Sequence, residues 1–403
     1  MNIRKPVVTY SGDKAVFSNV ETGLVSGLPT EAVEWKRSYG RTTRQVYVEC
    51  DFEELANISS SSSPSSTPSS LQGQPVFHTF WTDVMDLDQY RLKTKDEISN
   101  WLSSIRRTWP NTDWMIVLVE SPGNKSNKFP LRTTVLDKMK QDVGGKTPER
   151  CVSITDPGKS DSKAVDSMQS LLHKFRQMFL LSYNKVLNKF EETVRNQREK
   201  RNEPNWNFCQ YFLLQEELAF VYQSLGLFDE SLIQYDELDA LFTQFVLNSS
   251  LDDCPQWLEK FKEDLNDWTP LTLNKDENVK VRGKLDSLIS LRNYLFSQQC
   301  SQLIASNKLQ EVAARTIPFL HNTAQELEIL EIQGEIKNKF YFSYSYSSIS
   351  CQNIKFIILQ RWSRVVCTAG YCWQCWRWCR PVTTCPGSPS TPPVSGPWPG
   401  RSC

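Results

Sequence analysis

Six consecutive apolar residues, Trp114-Met-Ile-Val-Leu-Val119, constrain this chain more than any other feature. A run so short and apolar at every position reads as a strand buried on both faces, which occurs inside a sheet covered on each side. The flanking segments supply the cover. Ile98, Trp101, Leu102 and Ile105 fall at helical intervals within Lys93–Trp109, and Trp109-Pro110-Asn111 ends that helix. A helix around Thr134–Asp142 and a strand at Cys151–Thr155 follow. This alternation predicts an α/β domain over residues 1–160, built on a mostly parallel sheet.

Upstream, residues 1–55 read as short strands separated by turns. Val46, Val48, Cys50 and Phe52 share one face of a single period-two strand, and Val76–Trp81 is again strand-like. Between them, Ile58–Ser70 becomes a string of Ser, Thr and Pro with nothing to bury. The expectation is a disordered insertion over 57–74.

After Lys163 the period changes to helical and stays so. Met168, Leu171, Leu172, Phe175, Met178, Phe179, Val186, Leu187, Phe190 and Val194 form one long stripe, which ends in the charged run Arg198–Arg201 and stops at Glu203-Pro204. From Ala219, the offsets through Tyr222, Gly226, Phe228, Ser231, Leu232, Tyr235 and Leu238 are those of a tetratricopeptide-type helix pair. They recur 81 residues later as Cys300, Leu303, Asn307, Leu309, Val312, Ala313, Thr316 and Phe319. Two copies predict an irregular α-helical solenoid over 163–332, although the stripes also fit an ordinary helical bundle. Ala219 and Gly226 are expected at close helix contacts, and Glu216 on the outer face.

Charge and cysteine usage narrow the function classes. Lys+Arg and Asp+Glu both number 46, so no excess charge points to nucleic acid or an anionic membrane. Met1–Tyr10 lacks the apolar core of a secretion signal, and no apolar run approaches the roughly 18 to 20 residues that span a bilayer. The reading is a cytoplasmic protein with reduced thiols, so the Asn-x-Ser matches at Asn57, Asn124 and Asn248 are chance. Of twelve cysteines, Cys50, Cys151, Cys209, Cys254 and Cys300 are scattered, whereas seven crowd between Cys351 and Cys403. That asymmetry marks the tail, 340–403, as a different kind of sequence.

The segments that could carry chemistry assemble no active site. Gly144-Gly-Lys-Thr147 resembles the end of a phosphate loop, but a helix precedes it and a strand follows, the reverse of the order that aims backbone N–H groups at phosphates. His78 lies in a strand and His173 and His321 in helical stripes, none with metal-ligand spacing. The acids Glu216-Glu217 and Asp236-Glu237-Leu-Asp239 read as water-facing pairs on helices. In the tail, Cys367, Cys372, Cys375, Cys379 and Cys385 could space a zinc or iron–sulfur site, but among prolines and Trp373, Trp376 and Trp378 the segment has no period and reads as disordered. No catalytic, cofactor-binding or metal residue is assigned, and the chain is not expected to be an enzyme. Two rivals remain: a nucleotide-dependent enzyme on the α/β domain, and a zinc-binding adaptor acting through the tail.

Several strings are familiar together: Glu34-Trp-Lys-Arg-Ser-Tyr-Gly-Arg41, Asp113-Trp114 with Val117-Leu-Val-Glu120, Asp137-Lys138, and Gln197-Arg-Glu-Lys-Arg201 with Glu203-Pro204. So are Gln215-Glu-Glu-Leu-Ala-Phe-Val221, Tyr235-Asp-Glu-Leu-Asp-Ala-Leu-Phe242 and Leu295-Phe-Ser297. From about Val7 to Ile332 the chain resembles the N-terminal region of the trafficking protein particle complex subunit 10 family, large subunits of the TRAPP II tethering complex. The resemblance implies a non-catalytic scaffold in ER–Golgi and intra-Golgi transport, peripheral at the cis-Golgi network, with other TRAPP subunits as partners. A Rab GTPase would be served indirectly, because exchange chemistry in the complex belongs to small core subunits. Family members run on through more helical scaffold into β-sandwich modules. Here the match stops near Gln333, and the Cys/Trp-rich tail points to an alternative or misread 3′ end.

Overall fold

The computed structural model describes residues 5–37, 43–61, 71, 73–120, 133–145, 147–158, 162–249, 254–262 and 287–332. The apolar run is the strand β6 (Asp113–Glu120), in a five-stranded sheet with β1 (Val7–Gly12), β4 (Asp51–Glu54), β5 (Pro75–Thr82) and β7 (Cys151–Thr155). The order is β4-β1-β5-β6-β7, and every pairing is parallel. Alternate residues of β6 serve two cores. Met115, Val117 and Val119 join the core under helices α1 (Lys14–Gly27) and α6 (Ser162–Glu199). Trp114, Ile116 and Leu118 join the opposite core under α4 (Lys95–Thr108) and α5 (Val135–Met139). A strand sandwiched this way has no face for a polar residue, which explains the unbroken run. Ile98, Trp101, Leu102 and Ile105 of α4 are all buried, as their spacing requires.

Three upstream elements differ from the sequence reading. Helix α1 stands where short strands were expected. Its valines and glycines favour strands and turns, yet Val16, Phe17, Val20 and Leu24 all point inward against the sheet and α6. At Gly27 an added Cβ would come within 2.5 Å of the Leu172 side chain in α6, so a larger residue there would make Leu172 shift. The run Val46–Phe52 buries Val46, Val48 and Cys50 as its alternation implies, but it is two strands, not one. β3 (Arg44–Tyr47) pairs antiparallel with β2 (Ala32–Trp35) in a separate two-stranded sheet, and β4 joins the main sheet edge. Helix α2 (Leu55–Ser61) takes in residues 57–61 of the Ser-rich insertion; 62–70 lie outside the described residues. A short turn of helix, α3 (Leu87–Gln89), precedes α4.

Helix α6 is 38 residues long, about 57 Å at the usual rise. Phe175 and Phe179 meet Phe77 of the sheet at 5.4 and 6.5 Å, whereas its C-terminal part packs on α7 (Phe208–Ser224). One apolar core therefore runs from the sheet into the helices without a break. Arg176, buried on α6, donates to the carbonyls of Leu28 and Gly27 and so satisfies the C-terminal end of α1.

After α7 come α8 (Phe228–Ser249), α9 (Gln256–Glu259), α10 (Leu288–Ala305) and α11 (Leu309–Ile329). The recurrence is real: α7 and α10 end 81 residues apart, as do the starts of α8 and α11. Both turns use a left-handed residue, Gly226 at φ 71° and Asn307 at φ 59°. Leu227 N–H donates to Tyr222 at 2.9 Å and Lys308 N–H to Leu303 at 2.8 Å, closing the same helix-ending turn twice. Ala219 and Cys300 are fully buried, as expected of small positions between helices. Gly226 is not. A Cβ there would meet nothing within 4 Å, so the glycine answers to its positive φ rather than to a close contact.

Candidate interface: the acidic helix α8 and its clamps

Helix α8 carries five acids and no Lys or Arg. Its inner side, Leu232, Tyr235, Leu238, Leu241, Phe242 and Val246, fills the helical core. The acids lie on its flanks, and each meets a cation from a different part of the chain. Asp229 holds Lys308 at 2.8 Å in the α10–α11 turn, and Glu230 holds Arg44 of β3 at 2.7 Å. Asp236 takes Arg315 of α11 at 2.6 Å and Gln299 of α10 at 2.9 Å. Glu237 takes Arg198 of α6 at 2.8 Å and Gln215 of α7 at 3.1 Å. Asp239 takes Arg292 of α10. The sequence reading had Asp236, Glu237 and Asp239 facing water; they stay half-exposed and in addition bridge helices. Most of these pairs are half-exposed, where an ion pair contributes little stability, so their common effect is to orient neighbours around α8.

Two acids of α7 are corrected likewise. Glu216 is fully buried and accepts a hydrogen bond from Tyr294 of α10, and Glu217 accepts from the Leu71 backbone N–H at 2.6 Å. A further clasp comes from Arg37, which donates to Glu191 of α6 at 2.6 Å and to the Tyr222 hydroxyl at 2.5 Å. It ties the β2–β3 pair, too small to stand alone, onto the helices.

The Arg292 cluster is the deepest of these contacts. Arg292 and Glu326 are both nearly fully buried and joined by two hydrogen bonds, one at 2.5 Å from Nε. Thr243 of α8 accepts from Arg292 at 2.7 Å and donates to Glu326 at 3.1 Å. Sequence reasoning missed this pair, though a signal existed: Arg292 is the sole charged residue of α10.

On the outward side, α8 exposes Ile233, Ala240, Gln244 and Leu247, and α11 exposes Ala314, Ile317 and His321. Asp236–Arg315 joins these two helices, so the exposed residues stand on neighbouring elements.

Doubly wound folds hold ligands at the carboxyl ends of the strands, and at that end of β1 the α1 N-terminus is capped by the chain itself. At the β1–β5 crossover point, the Asp13 carboxylate caps α1, accepting from Ala15 N–H at 2.8 Å and Val16 N–H at 3.1 Å. A bound phosphate would need those same N–H groups. Gly144 ends the helical turn that follows α5 and Gly145 caps it, ahead of the strand β7, in the helix-then-strand order read from the sequence. Lys146 lies outside the described residues. His78 is fully buried between strands. Thr112 donates to the Trp109 carbonyl at 2.7 Å, so it accepts from His78 Nε2 at 3.0 Å, and Thr9 at 2.6 Å donates to Nδ1. Burial lowers the His78 pKa to about 3, keeping it neutral. His173 and His321 are exposed. Among the described residues no cluster of His, Cys, Asp and Glu could hold a metal, and no helix is long and apolar enough to cross a membrane. The tail cysteines Cys367–Cys385 lie outside the described residues.

Residues 1–201 match the family described as trafficking protein particle complex subunit 10-like, N-terminal. Among curated proteins, the chain is 39% identical over 338 residues to trafficking protein particle complex subunit 10 of Homo sapiens, covering 81% of this chain and 26% of that one. It is 36% identical over 334 residues to the Drosophila melanogaster protein of the same name, covering 82% and 29%. The trafficking protein particle complex II-specific subunit 130 homolog of Oryza sativa subsp. japonica is 27% identical over 260 residues, covering 61% and 19%. The chain thus spans about a quarter of the length of the animal relatives. A match over 81% of the chain cannot fit within the first 201 residues, so it extends into the helix pairs.

Proposed function

Because the chain belongs, through residues 1–201, to the trafficking protein particle complex subunit 10-like family, we propose that it is a scaffold subunit of the TRAPP II vesicle-tethering and Rab exchange-factor complex. Its work would be in ER–Golgi and intra-Golgi transport, in the cytoplasm and peripherally at the cis-Golgi network. Other TRAPP subunits are its partners, a Rab GTPase is served only through the complex, and nucleic acid has no part.

The observation that carries this reading is the 338-residue match, which takes in the sheet and the helix pairs alike. A non-catalytic role agrees with the chemistry at hand. The α8 acids are engaged in holding neighbours, and the helix N-terminus at the sheet crossover is capped by Asp13. We read the two helical hairpins as the start of an irregular α-solenoid, whose stacked units leave open faces for other proteins. Affinity-tagged chain, expressed with and without Phe340–Cys403, should co-purify with TRAPP subunits. Failure of both forms to recover any subunit refutes membership. Calorimetric titration with ATP and GTP tests the enzyme alternative, which requires binding that is lost on Lys146→Ala.

A further inference from the structure

The two helical hairpins provide an internal comparison. With their 81-residue shift, Arg292 of α10 stands where α7 has Tyr211, and Glu326 of α11 stands where α8 has Phe245. In the first hairpin both aromatics lie against Trp206, with centroids at 5.6 and 5.3 Å. In the second, the same positions hold the buried ion pair, which reaches across to Asp239 and Thr243 of α8 while the guanidinium lies 4.9 Å from the Phe242 ring. Aromatic packing is therefore an available solution for this architecture, and the charges are not required for the helices to associate.

An ion pair in such a site is a poor source of stability, because removing both groups from water nearly cancels their attraction. Burial pushes the Glu326 carboxyl up even though Arg292 pulls it the other way. What the pair supplies is direction. An apolar side chain beside Phe242 can be repacked in more than one setting, whereas a guanidinium fork with acceptors on two helices has one. We propose that Arg292, with Glu326, Asp239 and Thr243, is a register lock that fixes the second hairpin on α8 in a single longitudinal and rotational setting. The lock thereby sets how the exposed residues of α8 and α11 stand to one another, whichever complex the chain joins.

The test places ketone-bearing residues at Gln244 and Asn322, both exposed, and spin-labels them there, leaving the native thiols untouched. Pulsed electron resonance then reads the α8–α11 distance in the full chain. The native protein should give one narrow distribution. Arg292→Met alone leaves Glu326 buried without its cation, and should lower Tm by roughly 5–10 °C. Arg292→Met with Glu326→Leu should recover most of that loss, yet broaden the distribution or add a peak displaced by about 5 Å, one helical turn. Asp239→Asn with Thr243→Val, which removes only the α8 side, should broaden it too. A narrow native distance in both double variants would overturn the lock. So would an Arg292→Met, Glu326→Leu protein no more stable than Arg292→Met alone, for then the cluster is an ordinary stabilising contact.

Discussion

Gly226 and Asn307 occupy the same turn in the two hairpins, and a reciprocal pair of substitutions separates backbone strain from packing. An L-residue in the left-handed region costs roughly 1–2 kcal/mol. Replacing glycine by alanine also restricts the unfolded chain, which returns about 0.4–1 kcal/mol. Since a Cβ at Gly226 meets nothing within 4 Å, no steric cost is added. Gly226→Ala should therefore destabilise by only about 1 kcal/mol. Asn307→Ala, at φ 59°, should lose a similar amount, while Asn307→Gly should stay within about 0.5 kcal/mol of the native chain. Urea unfolding followed by tryptophan fluorescence measures all three as midpoint shifts at constant m. A loss above about 3 kcal/mol for Gly226→Ala would mean that the position is crowded after all. No loss at either alanine variant would mean that the two turns do not need a left-handed residue.

Ala219→Trp should overpack the fully buried contact between α7 and α8 and destabilise by roughly 1–3 kcal/mol or more, measured by the same unfolding; an unchanged midpoint would remove Ala219 from the contact. Glu216→Ala should cost about 2–3 kcal/mol, because it removes the buried acceptor of Tyr294; a change under about 0.5 kcal/mol would return Glu216 to the surface. His78 gives a pH signature. Its folded pKa of about 3 lies below the ordinary 6.5, so the unfolded state takes the proton first, and the stability held above pH 6.5 is lost as pH falls towards 3. By pH 5 that loss is about 2 kcal/mol, and His78→Asn should reduce the difference between the urea-unfolding free energies at pH 7 and pH 5 by that amount.

What could be read from the sequence was decided by how local the cause is. The strand β6 needs no context, since seven successive buried residues, Asp113 to Val119, leave no choice of side chain except at the ends. Helix α1 does, because Val16, Val20 and Val25 favour a strand and only the surface offered by the sheet and α6 reverses that preference. For Val46–Phe52 the alternation settles which side chains are inside but not which strand each half pairs with, a non-local choice that splits the run between two sheets.

The acids of α7 and α8 were misread for a related reason. A helix buried on nearly every side has no polar face to contrast with an apolar one, so the position of Glu216 within α7 carries no sign of its burial. Its environment is fixed by Tyr294, 78 residues away. Arg292 differs, because a lone charge in an otherwise uncharged helix demands a partner, and that demand is visible in α10 before any partner is known. The repeat itself is legible at a third level. Tyr211 and Arg292, or Phe245 and Glu326, share no chemistry, yet Gly226 and Asn307 are two residue types that tolerate the left-handed backbone, and both stand where the chain must reverse. Backbone conformation, more than side-chain identity, is what the two hairpins have in common. A search for further copies in longer relatives should therefore weight glycine or asparagine at the turn and a small buried residue seven positions before it, ahead of any match in the aromatic positions.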